Sequence, residues 1–264
     1  MMKRFLIVFI MCLTAVAAMA QCLNRWKFGA GQLSQTNQVL SDQKYKGTSV
    51  SFEGLHIGNY RKSDKNIFWS FLDRFEYSWM LNSSQTARLH YVSARFDFGT
   101  HYVFDLGQGF KLSAGGLVDV SGAVSYVPRN VNNIASADAQ FGIRAVAMAH
   151  YKYWVNERFS ITCHYGLTTP VIGCFFSPEY GESYYEIWKH LSSSLARDFH
   201  FSSFHNRYGV SGIFDFDFIF RTGVLTVGLC HENEWWHAAG NSFSIADIRG
   251  TIGFALRLAS IKPY

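Results

Sequence analysis

The chain is poor in proline, with four residues in 264, and poor in charge, with Asp, Glu, Lys and Arg making up 16% of it. Beyond the first twenty residues nothing approaches the ~18 consecutive apolar residues that a membrane-spanning helix needs, which excludes a helical span. No CxxC and no His-Cys spacing occurs, so a zinc site has no support, and no metal or other cofactor is expected. Four of the five cysteines, Cys22, Cys163, Cys174 and Cys230, lie outside the first twenty residues, and Cys163 and Cys230 fall within strand patterns. Apolar thiols, buried or facing a membrane, are the favoured reading over disulfides. Large charge excess is also missing. The 24 Lys and Arg, less Lys3 and Arg4 of the leader described below, stand against 19 Asp and Glu, an excess of three that gives no case for nucleic acid. There is no linker, repeat or low-complexity segment, so residues 21–264 read as one domain.

What is present is 48% hydrophobic residues, with aromatics alone at 17%. The first of them form a leader. Lys3 and Arg4 precede an apolar stretch from Phe5 to Ala17 and the small-residue pattern Ala18-Met19-Ala20, the layout of a cleavable secretory signal over residues 1–20.

The remaining apolar residues alternate. In RFDFGTHYVFDL, residues 95–106, Phe96, Phe98, Tyr102, Phe104 and Leu106 are even, while Arg95, Asp97, His101 and Asp105 are odd. Period two places one set on each face of a strand. The pattern resumes at Phe110–Tyr126, Phe141–Tyr153 and Phe159–Leu167. Later, Phe214, Phe216, Phe218 and Phe220 oppose Asp215 and Asp217, and Leu225, Val227 and Leu229 oppose Thr226, Glu232 and Glu234. A soluble sandwich alternates too, but its strands are typically 5–6 residues long. Several runs here last roughly ten to twenty, where ~9–11 suffice to cross a bilayer. The expected fold is all-β, a transmembrane antiparallel β-barrel of about ten strands near 25–31, 48–60, 67–81, 87–106, 110–127, 136–154, 158–171, 207–220, 224–236 and 243–258, with eight or twelve left open. A two-residue turn at Thr222-Gly223 would pair Phe220 with Leu225, Phe218 with Val227 and Phe216 with Leu229. Short connections at 107–109, 156–158 and 222–223 alternate with longer ones at 127–136, 173–204 and 237–241. Short periplasmic turns and longer outward loops are usual in outer-membrane barrels, which puts both ends in the periplasm.

The inward face then carries Arg74, Glu76, Arg95, Asp97, Asp119, Asp138, Arg144, Lys152, Asp215, Asp217, Glu232, Asp247, Arg249 and Arg257. Barrels of ~8 strands are just filled by their own side chains, and aqueous channels appear at 16–18. A closed interior is expected, cross-linked by ion pairs among Arg95, Asp97, Arg144, Asp215, Asp217, Glu232, Arg249 and Arg257, because buried charges must be paired.

One constellation suggests chemistry. Asp198, His200 and Ser202 share a face at spacings of two, and a His that takes a proton from Ser is the logic of acyl transfer. The His-x-Ser pair resembles the arrangement of outer-membrane phospholipases and lipid A deacylases. Its even parity matches the lipid-facing Phe214–Phe220, although a slip near Ser202-Ser203 leaves its facing open. In the long loop, Tyr180, Tyr184, Tyr185 and Trp188 offer either a binding surface or a cover over the barrel mouth. Trp235, Trp236 and His237 fall near the outer rim, where belt aromatics are expected.

The segments PEYGESYYEIW (178–188), RNVNNIASA (129–137) and HFSSFHN (200–206) resemble recurring motifs of an uncharacterised Bacteroidetes family of exported, predicted outer-membrane β-barrel proteins, a domain of unknown function. The resemblance implies placement in the envelope and carries over no activity, substrate or catalytic residue. Where that family has Pro after the paired Asn, this chain has Ile134. The leading expectation is a non-enzymatic outer-membrane barrel with a plugged lumen and surface loops that bind or shield. An outer-membrane lipid acyl hydrolase and a narrow passive pore are the alternatives. Outer-membrane lipid is the expected partner, and no protein or glycan partner is specified.

Overall fold

The computed structural model describes residues 23–60, 66–130, 134–178, 189 and 197–256. The segment 1–20, read as a signal, therefore lies outside the described residues. The alternating runs become β1 (Leu23–Asn37), β2 (Ser41–Asn59), β3 (Ile67–Asn82), β4 (Arg88–Asp105), β5 (Phe110–Tyr126), β6 (Ala135–Asn156), β7 (Phe159–Phe176), β8 (Phe199–Ser203), β9 (Arg207–Ile219), β10 (Gly223–Ala238) and β11 (Asn241–Leu256). Every neighbouring pair is antiparallel, and the sheet closes because β1 pairs with β11 as well as β2, and β6 with β7. Beyond Thr168, where the pairing of β7 with β9 ends, β7 pairs with the short β8. Strands β8 and β9 are one stave broken at residues 204–206, so the ring has ten staves.

The ring answers an elementary demand. Backbone N–H and C=O groups in hydrocarbon must be satisfied internally, and only closure removes the unpaired sheet edge. Pro170, which has no N–H to give the ladder, sits opposite Arg144 at a bulge that leaves Val171 as the extra residue. The β4–β5 turn needs left-handed backbone at Gly107, Gln108 and Gly109, with φ of 81°, 51° and 80°, and the two glycines take it without steric cost.

Facing follows the expected parity. Asp215 and Asp217 are 1% and 5% exposed, whereas Phe214 and Phe216 are 40% and 38% exposed. The outer surface is a belt of such side chains, among them Phe98, Val118, Ile143, Leu229 and Ile252. This is the apolar-out alternation of a transmembrane barrel. Leu229 lies near the middle of β10, paired with Phe214 on one side and Gly250 on the other. Leu229→Arg is expected to destabilise the barrel by about 2–4 kcal/mol, the cost of a midplane cation in lipid. A titration of folded protein in vesicles against urea reads this directly, and an unchanged midpoint would mean that this surface does not meet hydrocarbon.

Three readings need correcting. The β9–β10 hairpin pairs Phe218 with Leu225, Phe216 with Val227 and Phe214 with Leu229, two residues from the expected register. Phe220 accepts no strand pairing and instead donates its N–H to Gly223 O at 2.8 Å, which widens the turn. Because the slip is even, every apolar residue keeps its face. The connection expected at 237–241 is the tight turn Ala239-Gly240, both residues at positive φ. The stretch 32–47, left outside the strands, forms the end of β1, a turn at 38–40 and the start of β2.

The interior has layers. Toward the end that carries the 127–134 and 177–198 connections, Leu33, Tyr45, Met80, Leu89, Tyr91, Phe175, Trp236, Phe243 and Ile245 pack as an apolar cluster. Charged side chains fill the middle. Toward the end with the turns at 107–109, 157–158 and 220–222 lies a chamber of about 670 Å3 whose surface is mostly apolar, although charged residues, Asp105, Lys111 and Lys152 among them, also line it.

Candidate functional site: the charged layer of the lumen

Each strand contributes inward side chains at every second position, so ten staves bring charges together from distant parts of the chain. Arg25 on β1 donates to Asp217 at 2.9 Å and lies 3.7 Å from Asp215, both on β9. Lys27 is 3.2 Å from Asp215 and 3.5 Å from Glu53 on β2. Glu53 lies 3.2 Å from Arg74, which donates to Glu232 at 2.8 Å. Glu232 also accepts from Arg95 at 2.8 Å, and Arg95 reaches Asp119 at 3.4 Å and Glu234 at 3.5 Å. Arg144 and Arg207 complete the chain on Glu234 and Asp119. The result is one unbroken run of opposite charges across the lumen. Beside it, Arg249 holds Glu76 and Asp247, each at 2.7 Å. Isolated charges in such a place would be prohibitive, and the alternation of sign is what makes the layer tolerable.

The expected lumen set is largely assembled here. Arg95, Arg144, Asp215, Asp217, Glu232 and Arg249 all take part. Asp97 faces inward beside this layer, but its buried Oδ1 has no hydrogen-bond partner among the described residues. Arg257 lies outside the described residues. The charges occupy a middle layer of the interior, between the apolar cluster and the chamber, a division along the axis that parity along a strand does not show. Arg25, Lys27, Glu53 and Arg207 were missed, although RWKF already sets Arg25 and Lys27 on the parity opposite Trp26 and Phe28.

The His-x-Ser constellation resolves differently. The break at residues 204–206 resets parity, so Asp198 and Ser202 are buried inward while Phe199 and Phe201 are exposed. His200 bonds the carbonyl of Ser177 at 3.0 Å, and Asp198 accepts from Arg197 at 3.0 Å. Within this segment the Ser-His contact is between Ser203 and His205, at 2.6 Å. Tyr180, Tyr184, Tyr185 and Trp188 lie outside the described residues. Trp236 is not a belt residue: it points inward and stacks on Phe243 at 3.9 Å, while Trp235 stacks outward on Tyr208 at 4.9 Å. The described residues contain no group of three or more His, Cys, Asp or Glu that could hold a metal ion. Cys163, Cys174 and Cys230 are free thiols. One outward polar cluster was also missed: His56 bonds Asn24 at 2.7 Å and Asp73 at 3.2 Å on the lipid side of β1–β3.

A family model described as "Protein of unknown function (DUF3316)" matches residues 6–261. No curated protein matches the sequence. Among solved structures, the transport unit of the autotransporter AIDA-I from Escherichia coli is 10% identical with a TM-score of 0.45, covering 91% of this chain and 92% of that one. The translocator domain of the autotransporter NalP from Neisseria meningitidis is 11% identical with a TM-score of 0.38, covering 97% of each chain. The COG4313 outer membrane channel from Pseudomonas putida F1 is 10% identical with a TM-score of 0.33, covering 89% of this chain and 95% of that one.

Proposed function

The chain belongs to the DUF3316 family of proteins of unknown function, and on that premise we propose that it is a non-enzymatic outer-membrane barrel whose lumen is closed to ions. The observation that carries this reading is the charged layer. From Asp217 through Arg25, Asp215, Lys27, Glu53, Arg74, Glu232 and Arg95 to Glu234, each charge is held by one of opposite sign. A permeating ion would have to displace paired side chains and then pass the apolar cluster of Tyr45, Phe175, Trp236 and Phe243 above them. Outer-membrane placement is supported by the apolar belt together with closure of the ring. The longer connections at 127–134 and 177–198 support an outward placement of their end, tight turns at 38–40 and 239–240 notwithstanding, and a periplasmic placement of the chamber end. Its role is then carried by the surfaces at its two ends rather than by conduction.

Planar-bilayer recording of the purified barrel is the test. No single-channel steps are expected, and reproducible unitary steps would overturn the closure.

A further inference from the structure

We propose that the chamber below the charged layer is a binding site for an apolar molecule carrying a hydroxyl group, such as a long-chain alcohol. The proposal rests on the closed-lumen reading only for the chamber's blind end. At about 670 Å3 it falls in the usual range of small-molecule sites, ~300–1,000 Å3. Its walls include Leu55, Leu72, Leu117, Val146, Met148 and Ile213, each at a lumen-facing parity. Apolar side chains turned into the lumen contribute nothing to membrane insertion. Leaving such a concave apolar wall to water is unfavourable, and an apolar ligand relieves it.

The polar groups on these walls set the ligand's chemistry. Asp217 only accepts, so His164 donates Nε2–H to it at 2.9 Å. With both rings neutral, His164 Nδ1 then accepts from Nδ1–H of His150 at 2.7 Å. His150 Nε2 is thereby left as an acceptor whose hydrogen-bond partner, the Ser113 hydroxyl, stands at 3.4 Å. A ligand hydroxyl serves that nitrogen better. His150 Nε2 is thus a polar station beside apolar wall, the pattern of a site that orients its ligand by a few hydrogen bonds, while charged residues that also line the chamber, Lys27, Asp215 and Asp217 among them, are held in ion pairs.

The experiment uses the full chain held in amphipol, exposed to 1-dodecanol, washed, and analysed for bound alcohol per barrel by gas chromatography. Heat-modifiable gel migration first establishes that each variant is folded. One alcohol per wild-type barrel is expected, with at least a tenfold loss in Val146→Phe/Met148→Phe, which fills the chamber, and no loss in Ala147→Phe on the lipid side. Should the filled variant not fold, His150→Leu is the second arm. Wild type is expected to prefer 1-dodecanol to dodecane about tenfold, and the variant to hold both alike. The absence of stoichiometric alcohol in wild type, equal binding by the filled variant, or an unchanged preference in His150→Leu would each overturn the site. Ionic steps in a bilayer would overturn the closure and leave this result standing.

Discussion

Arg249→Ala is expected to destabilise the barrel by about 3–5 kcal/mol, the cost of removing one member of a buried ionic group and stranding the rest. Arg249 is 1% exposed and is held between Glu76 and Asp247. The remaining polar support for the two carboxylates is slight, one hydroxyl each, from Ser78 at 3.2 Å and Ser49 at 3.0 Å. Without the guanidinium, two acidic groups face each other in a region from which water is largely excluded. The triple variant Arg249→Met/Glu76→Gln/Asp247→Asn removes the charges together and is expected to recover most of the loss, since replacing a whole buried ionic group is often close to neutral. Urea titration of the vesicle-folded barrel, scored by heat-modifiable migration, measures both. An Arg249→Ala midpoint equal to that of wild type would show that this part of the lumen is wet and its charges are screened.

Trp236→Ala is expected to cost about 3–5 kcal/mol, the range for truncating a buried large aromatic. Its indole stacks on Phe243 and lies 6.3 Å from the ring of Phe175, both in the apolar cluster. The cavity left behind lies in a cluster that also holds Met80, Leu89 and Ile245, whose strands are fixed by the closed ring, so it collapses only in part. Trp235→Ala, one residue away but facing lipid, is expected to cost clearly less, because acyl chains flow into the space a lost side chain vacates. The same urea titration separates the two neighbours. Conductance is expected to stay absent in Trp236→Ala, because the ion-pair layer beneath it is untouched. Appearance of steps in this variant would move the barrier to the apolar cluster.

Parity was legible in the sequence wherever a strand crosses lipid. Asp215 and Asp217 against Phe214 and Phe216 admit a single arrangement, and the hairpin they form keeps it even with its register two residues from the expected one. Parity faded where strands leave the bilayer. In Gln32–Asn37 the inward residues are Leu33, Gln35 and Asn37 and the outward ones Gln32, Ser34 and Thr36. Both faces carry polar groups, so no contrast marks a strand, although Gln35 reaches across the lumen to Ser125 at 2.8 Å. The facing of His200 and Ser202 was illegible for another reason: a three-residue break at 204–206 changes parity, and nothing in Phe204-His205-Asn206 announces how many residues it consumes.

The amino-acid sequence alone determined the all-β alternation, the near count of staves and the side on which each residue of a lipid-crossing run would lie, because a strand's two faces depend only on neighbours two positions apart. Tertiary structure alone decided which inward residues meet. Arg95 and Glu232 are 137 positions apart and Arg25 and Asp217 are 192, brought together by the tilt and stagger of a closed ring. The same stagger sorted the lumen into an apolar cluster, a charged layer and an apolar chamber, a division along the barrel axis that no single strand contains.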